Sequence, residues 1–332
     1  MATEQLKKIP FDLAKFKETS EDKLFEFVDI DTVTSERITA PRYSYWRSVL
    51  RIFFKKKINW VVLVLLALLF ILTFIGPFFW PYSKFENVTD ASLQNLSPTQ
   101  CFDRFGFSLK WCLGTGQYGN SIFYGLWSSA RTSLLLAIIC AAINMVLGIL
   151  MGAVWGYSKS FDAVMTVIYN IIANVPYVLL ISVLVYVIGA GFGPFVLALT
   201  VTGWLGIAYF FRTQVLIIRD REYNLASRCL GTPIVRVVSK NILPYMISVI
   251  VTLLATEVPS YISMEVFLSY IGIGLKSDVP ALGQMINDGQ IGWTTYPWAF
   301  WAPVSIAAAL TIMLYLLGQN LADASDPRSH MQ

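Results

Sequence analysis

Histidine is almost missing. The one present, His330, stands two residues from the end. A histidine triad, a histidine general base in a folded core and a multi-histidine metal site are thereby excluded. Charge is scarce as well: 14% of the 332 residues are charged and 56% are hydrophobic, whereas a soluble domain carries about 25% charged residues. A soluble chain of this length cannot cover its surface with so few charges, so the sequence reads as all-α and polytopic in a membrane. No G-x-x-x-x-G-K-[ST] pattern occurs, and no G-x-S-x-G elbow or C-x-x-C pair. The chain therefore lacks an ATP site, a catalytic residue and a metal site of its own. What it offers is a path through a membrane. The net charge of +4 calls for no nucleic acid.

What is present is a series of apolar runs separated by polar segments. Residues 1–57 form a polar N-terminal region. Its first 36 residues hold nine acids against five lysines, while residues 37–57 hold seven basic residues and no acid. Tyr45–Lys57 mixes Trp46, Leu50, Ile52, Phe53 and Phe54 with Arg47, Arg51 and Lys55 to Lys57. That suits an amphipathic helix in contact with membrane lipid, or an ordinary basic flank to a span. The apolar runs predict six spans, near 60–80 (within a segment 58–81), 132–157, 163–189, 194–211, 242–270 and 298–317. A loop covers 82–127, a five-helix core 128–320 and a polar tail 321–332.

Six spans place both termini on one side. The termini, the 158–161 turn and the 212–240 loop hold 20 of the 25 Lys and Arg, and the two main opposite loops hold four. The basic side is expected to be cytoplasmic, in a cell (inner or plasma) membrane.

Residues 213–244 form the most informative segment. Arg219–Tyr245 reads as two short helices about a sharp turn. Gly231 suits the left-handed position past a helix end, with Thr232 and Pro233 opening the next helix. Such a knuckle is a shape for another protein to grip, or a solvated loop that only fixes topology.

Here the chain resembles a known family. Glu222, Tyr223, Ala226, Ser227, Leu230, Gly231, Ile242, Leu243 and Pro244 follow the E-Y-x-x-A-[AS]-x-x-L-G … I-L-P order of the ATP-coupling motif in ATP-binding-cassette importer permeases. Further stretches between 110 and 328 agree: Leu113-Gly114-Thr115, Arg131-x-Ser133-Leu134, Pro176, Thr202-Gly203-Trp204 and Glu265-x-x-Leu268-Ser269-Tyr270. Their combination resembles the C-type membrane subunit of oligopeptide and dipeptide importers. Where that family has T-D-x-x-G-R-D, this chain reads Thr115-Gly116-Gln117-Tyr118-Gly119-Asn120-Ser121, without the charges.

The resemblance implies a type I importer permease fold and four kinds of partner. These are a second, homologous permease subunit, two ATPase subunits that bind ATP and Mg, an extracytoplasmic substrate-binding lipoprotein, and a peptide as cargo. It implies that Glu222, Tyr223, Ala226, Ser227, Gly231, Leu243 and Pro244 couple the chain to the ATPases. Nickel chelates, sugars and antimicrobial peptides are other cargoes of relatives with this architecture. A channel, a secondary transporter or a scaffold are readings of a different class.

Two further features stay open in the sequence. Glu257 and Glu265 lie eight residues apart in the fifth apolar run, with Tyr261 and Met264 between them, near one helical face. These four are candidates for the pathway or its gate, with Glu257 lining the path and Glu265 near its outer mouth; alternatively, both acids bond neighbouring helices and hold the assembly together. Cys101 and Cys112 share a loop, and their spacing allows a disulfide without demanding one.

Overall fold

A computed structural model describes residues 45–326. The acidic segment 1–36, Arg328 and His330 lie outside the described residues. Thirteen α-helices are described: α1 Tyr45–Lys55, α2 Lys57–Phe74, α3 Gly76–Phe79, α4 Pro98–Phe105, α5 Ile122–Tyr157, α6 Lys159–Ala173, α7 Tyr177–Ile188, α8 Phe192–Arg219, α9 Glu222–Cys229, α10 Ile234–Val237, α11 Ile247–Tyr270, α12 Leu282–Gln290 and α13 Pro297–Ser325. No strand occurs among the described residues.

Five helical segments are long and apolar enough to cross a membrane: Lys57–Phe79, Ile122–Tyr157, Phe192–Arg219, Val238–Tyr270 and Pro297–Ser325. A sixth crossing exists if α6 and α7 are counted together. They bend by 86° between them, so the expected span over 163–189 is broken into two half-helices. Pro176 is the cause. Proline lacks an N–H, and its ring drives the preceding residue out of the helical region, so α6 stops ahead of it.

Two other boundaries move. α5 starts at Ile122 rather than near 132, because Ser121 caps it by accepting from the Tyr124 N–H at 3.2 Å. α13 continues to Ser325, past the expected end of the core at 320. α1 lays Val49 and Phe53 against Ala324, Leu317 and Leu321 of α13. The Tyr45 hydroxyl donates to the Ser325 carbonyl at 2.9 Å, and Lys56 pairs with Asp323 at 3.4 Å. Trp46 and Leu50, 52% and 49% exposed, remain uncovered.

The central seam joins α5 to α8. Gly148, Gly152 and Gly156 recur every four residues along one face of α5. A methyl on Gly152 would come within 2.5 Å of the Ala208 carbonyl oxygen, and one on Gly156 within 2.8 Å of the Arg212 carbonyl oxygen. Without side chains at these positions the two backbones approach closely, as helices do when dispersion and polar contacts must replace the hydrophobic effect. Around this seam pack Leu134, Ala137, Ile181, Phe195, Leu199, Ile262 and Leu268, drawn from α5, α7, α8 and α11.

Candidate functional site

A cavity of about 530 Å³ opens midway along α8 and α11, where the α6–α7 break turns aside. Asn174, Pro176 and Tyr177 line it from the break, Thr202 and Gly203 from α8, and Glu257, Tyr261 and Met264 from α11. Three of the four pathway candidates thus share one space. Tyr261 is held in place by Asn144, whose Nδ2 donates to its hydroxyl. Tyr177 donates to the Leu199 carbonyl at 3.1 Å. The Thr202 hydroxyl is buried without a partner.

Glu265 does not line this cavity. It is fully buried, and Ser269 Oγ donates to its Oε1 at 2.9 Å. Two turns along the same helix therefore separate a carboxylate on an open space from one sealed among helices.

The 219–245 segment forms the expected knuckle. α9 is closed off by Gly231, two residues past its end, at φ +74°. The Thr232 N–H donates back to the Ser227 carbonyl at 3.1 Å. This is the closure that a left-handed residue after a helix allows, and glycine bears it without a side-chain clash. Glu222, Tyr223, Ala226, Gly231 and Pro244 are exposed, while Ser227 and Leu243 are half-buried. Leu230, beside the turn, is 86% exposed.

Asn224 fastens the knuckle, and the sequence reading missed it. It is fully buried, donates to the Ile218 carbonyl at the end of α8 at 2.9 Å, and accepts from Asn241 at 3.2 Å. A second clasp lies nearby. Asp162 of α6 accepts two hydrogen bonds from Arg212 of α8, and Trp155 Nε1 donates to the same carboxylate at 2.9 Å. The signal for it was Asp162 itself, standing at the head of a run from 163 to 211 with no charge.

At the opposite end, the 82–121 loop is tied to the 271–296 segment by an ion pair. Lys84 Nζ lies 2.6 Å from Asp288, with the lysine side chain almost wholly buried. Burial raises the Asp288 carboxyl above the usual carboxylate range, and Lys84 offsets part of that rise. Burial likewise raises the Tyr82 phenol, against the hydrogen bond from Asn120 Nδ2 at 2.9 Å. This pair places charge beside the segment whose family charges are lost. Cys101 and Cys112 are both free thiols, so the disulfide that the spacing allowed is not formed. Cys101 is buried on α4, whereas Cys112 follows a separate turn of helix at Leu109–Trp111. Burial raises both thiols above their ordinary value.

Comparison with known proteins supplies the family. Residues 144–330 match the binding-protein-dependent transport system inner membrane component, and residues 44–98 match the N-terminal TM domain of oligopeptide transport permease C. The oligopeptide transport system permease protein AmiD of Streptococcus pneumoniae is 44% identical over 314 residues, covering 94% of this chain and 99% of that relative. The dipeptide transport system permease protein DppC of Bacillus subtilis is 33% identical over 297 residues, 89% of each chain. Among solved structures, a chain of the inward-facing MetNI methionine ABC transporter superposes with a TM-score of 0.51 at 18% identity. It covers 61% of this chain and 96% of that one, and shows a shared fold. With more than half its length matched and close kin across nearly all of it, the chain belongs to the family of inner-membrane permease components of binding-protein-dependent transport systems.

Proposed function

We propose that this chain forms half of an ATP-driven import pathway for oligopeptides or dipeptides. A second, homologous permease completes the pathway. Two ATPase subunits bind ATP and Mg and grip the knuckle at Glu222, Tyr223, Ala226, Ser227, Gly231, Leu243 and Pro244. A substrate-binding lipoprotein delivers peptide to the end that carries the 82–121 loop. The chain itself hydrolyses nothing, and both its termini face the cytoplasm.

The observation that carries this reading is the construction of the knuckle. It presents exposed Tyr223 and Leu230 to a partner, yet Asn224 and Asn241 lock it to the end of α8. A push on α9 is therefore delivered to a helix that lines the cavity some ten residues further back. Kinship to permeases named for oligopeptide and dipeptide transport supports the cargo. Rigid-body rocking of such packed helices between two states is the physical basis of alternating access.

Two measurements test it. Gentle purification from the native membrane should recover a second permease, two ATPases and a binding lipoprotein. A lone chain or a homo-oligomer would overturn the proposal. In the reconstituted complex, Gly231→Val forces a β-branched side chain to φ +74°. ATP hydrolysis should continue while peptide uptake falls by about tenfold or more. Unchanged uptake would remove the coupling role.

A further inference from the structure

The cavity between the α6–α7 break and α11 carries an unbalanced set of polar groups. Glu257 is the one acidic or basic side chain among its lining residues. No hydrogen bond or ion pair joins this carboxylate to any described residue. A carboxylate in a membrane span is costly unless it faces protein partners or water, and such residues mark paths for solutes. Nothing nearby neutralises it. No group of three metal-ligating side chains exists among the described residues either, and one carboxylate makes a poor site for a divalent metal.

Two neighbours complete the pattern. The Thr202 hydroxyl, buried on the same cavity, has no partner. Tyr261 has a proton to give. Asn144 Nδ2 donates both to the Tyr261 oxygen and to the Leu199 carbonyl, at 3.4 Å for the latter. That pair of contacts orients the amide, so the tyrosine oxygen accepts, and its own O–H is left over. Beside Asn174 and Ser260, whose donors bond their own helices, the wall therefore offers a carboxylate acceptor, a hydroxyl and one donor. A group with several N–H donors and a positive charge, followed by a carbonyl, satisfies this set. The free amino end of a peptide has that form.

We propose that Glu257 receives the α-ammonium group of the translocating peptide, with Tyr261 donating to a carbonyl near that end. The proposal rests on the peptide-import reading above and adds which end of the peptide the membrane cavity recognises. A space of about 530 Å³ lies in the size range that encloses a small organic ligand. It takes the end of a chain rather than the whole of a long peptide.

The test uses the full complex in lipid vesicles, with its binding protein loaded to saturation. Two radiolabelled cargoes are compared, a tetrapeptide with a free amino terminus and its N-acetylated twin. Loading of both is confirmed by bound label, so selection by the binding protein does not enter. Wild-type complex should import the free peptide about ten times faster, the effect of one charge-assisted hydrogen bond. Glu257→Gln should bring the ratio close to one, and Glu257→Asp should keep part of the preference. No preference in wild type, or a wild-type ratio retained in Glu257→Gln, overturns the proposal. If Glu257→Gln does not assemble, the wild-type ratio and the Glu257→Asp ratio decide. A wild-type complex that hydrolyses ATP but imports neither cargo fails the peptide reading itself, which separates the two failures.

Discussion

Glu257 and Glu265 share one helix and one residue type, yet their surroundings are opposite. Glu265 has Ser269 one turn along, on its own helix, and no exposure. Its neighbour Ser133, on α5, accepts from the Leu282 N–H at the head of α12. Three helices thus meet around a sealed carboxylate. Glu257 has no such partners and opens on a cavity. The difference teaches that an acid in a membrane span has two physical solutions. It can be sealed among helices with a donor on one oxygen, as Ser269 bonds Oε1 of Glu265 while Oε2 stays unpartnered, in which case it serves the fold. It can be left facing a space, in which case the space must supply what the protein does not.

The sharpest way to break this comparison is to truncate both acids. Glu265→Ala leaves buried hydroxyls without a partner and a void behind them. It should cost about 2–3 kcal/mol of stability, seen as a lowered unfolding midpoint in detergent. Glu257→Ala should change that midpoint by less than about 1 kcal/mol while reducing transport. Equal midpoint losses in the two variants would erase the distinction.

A subtler change sharpens it. In Gly203→Ala the added methyl would lie 2.7 Å from Asn144 Nδ2 and 2.8 Å from the Tyr261 hydroxyl. These are side-chain ends, which can yield. Stability should hold within about 1 kcal/mol, while the cavity wall loses its arrangement and the rate of peptide import falls. A wild-type import rate in this variant would show that the position of Tyr261 does not matter.

The smallest effect concerns the far end. In the folded chain the Asp288 carboxyl is raised by burial, and in the unfolded chain it titrates near about 3.9. Its contribution is fully present below the unfolded value and is lost as pH rises through the raised folded one. The unfolding midpoint should therefore slope gently downward from mildly acidic to neutral pH. Asp288→Asn should remove that component. An unaltered slope would assign it to other groups.

Much of this was legible in the sequence because it follows from short-range rules. Apolar runs gave the helices, and Gly231 with Pro233 gave the turn. Pro176 stood in plain view, but a proline in a span can kink or break it, and sequence alone does not give the size of the bend. The glycines at 148, 152 and 156 carry a readable four-residue period that went unread among the other small residues. The pairing of Lys84 with Asp288 had no local signal, since the two lie some two hundred residues apart. Nor did local pattern separate Glu257 from Glu265. Their spacing placed them near one face, and only the neighbouring helices decided which was covered.

The broken α6–α7 pair also bears on how the chain enters its membrane during synthesis. At about 1.5 Å per residue, fifteen and twelve residues reach roughly 22 and 18 Å. Neither half crosses about 30 Å of hydrocarbon alone. As these halves leave the ribosome, neither can settle as a finished crossing. The kinked pair must wait for α8, which supplies the Leu199 carbonyl to Tyr177 and Arg212 to Asp162. Insertion of this part is thus a joint event, and a ribosome stalled before residue 192 would hold a bent pair with no stable place in the bilayer.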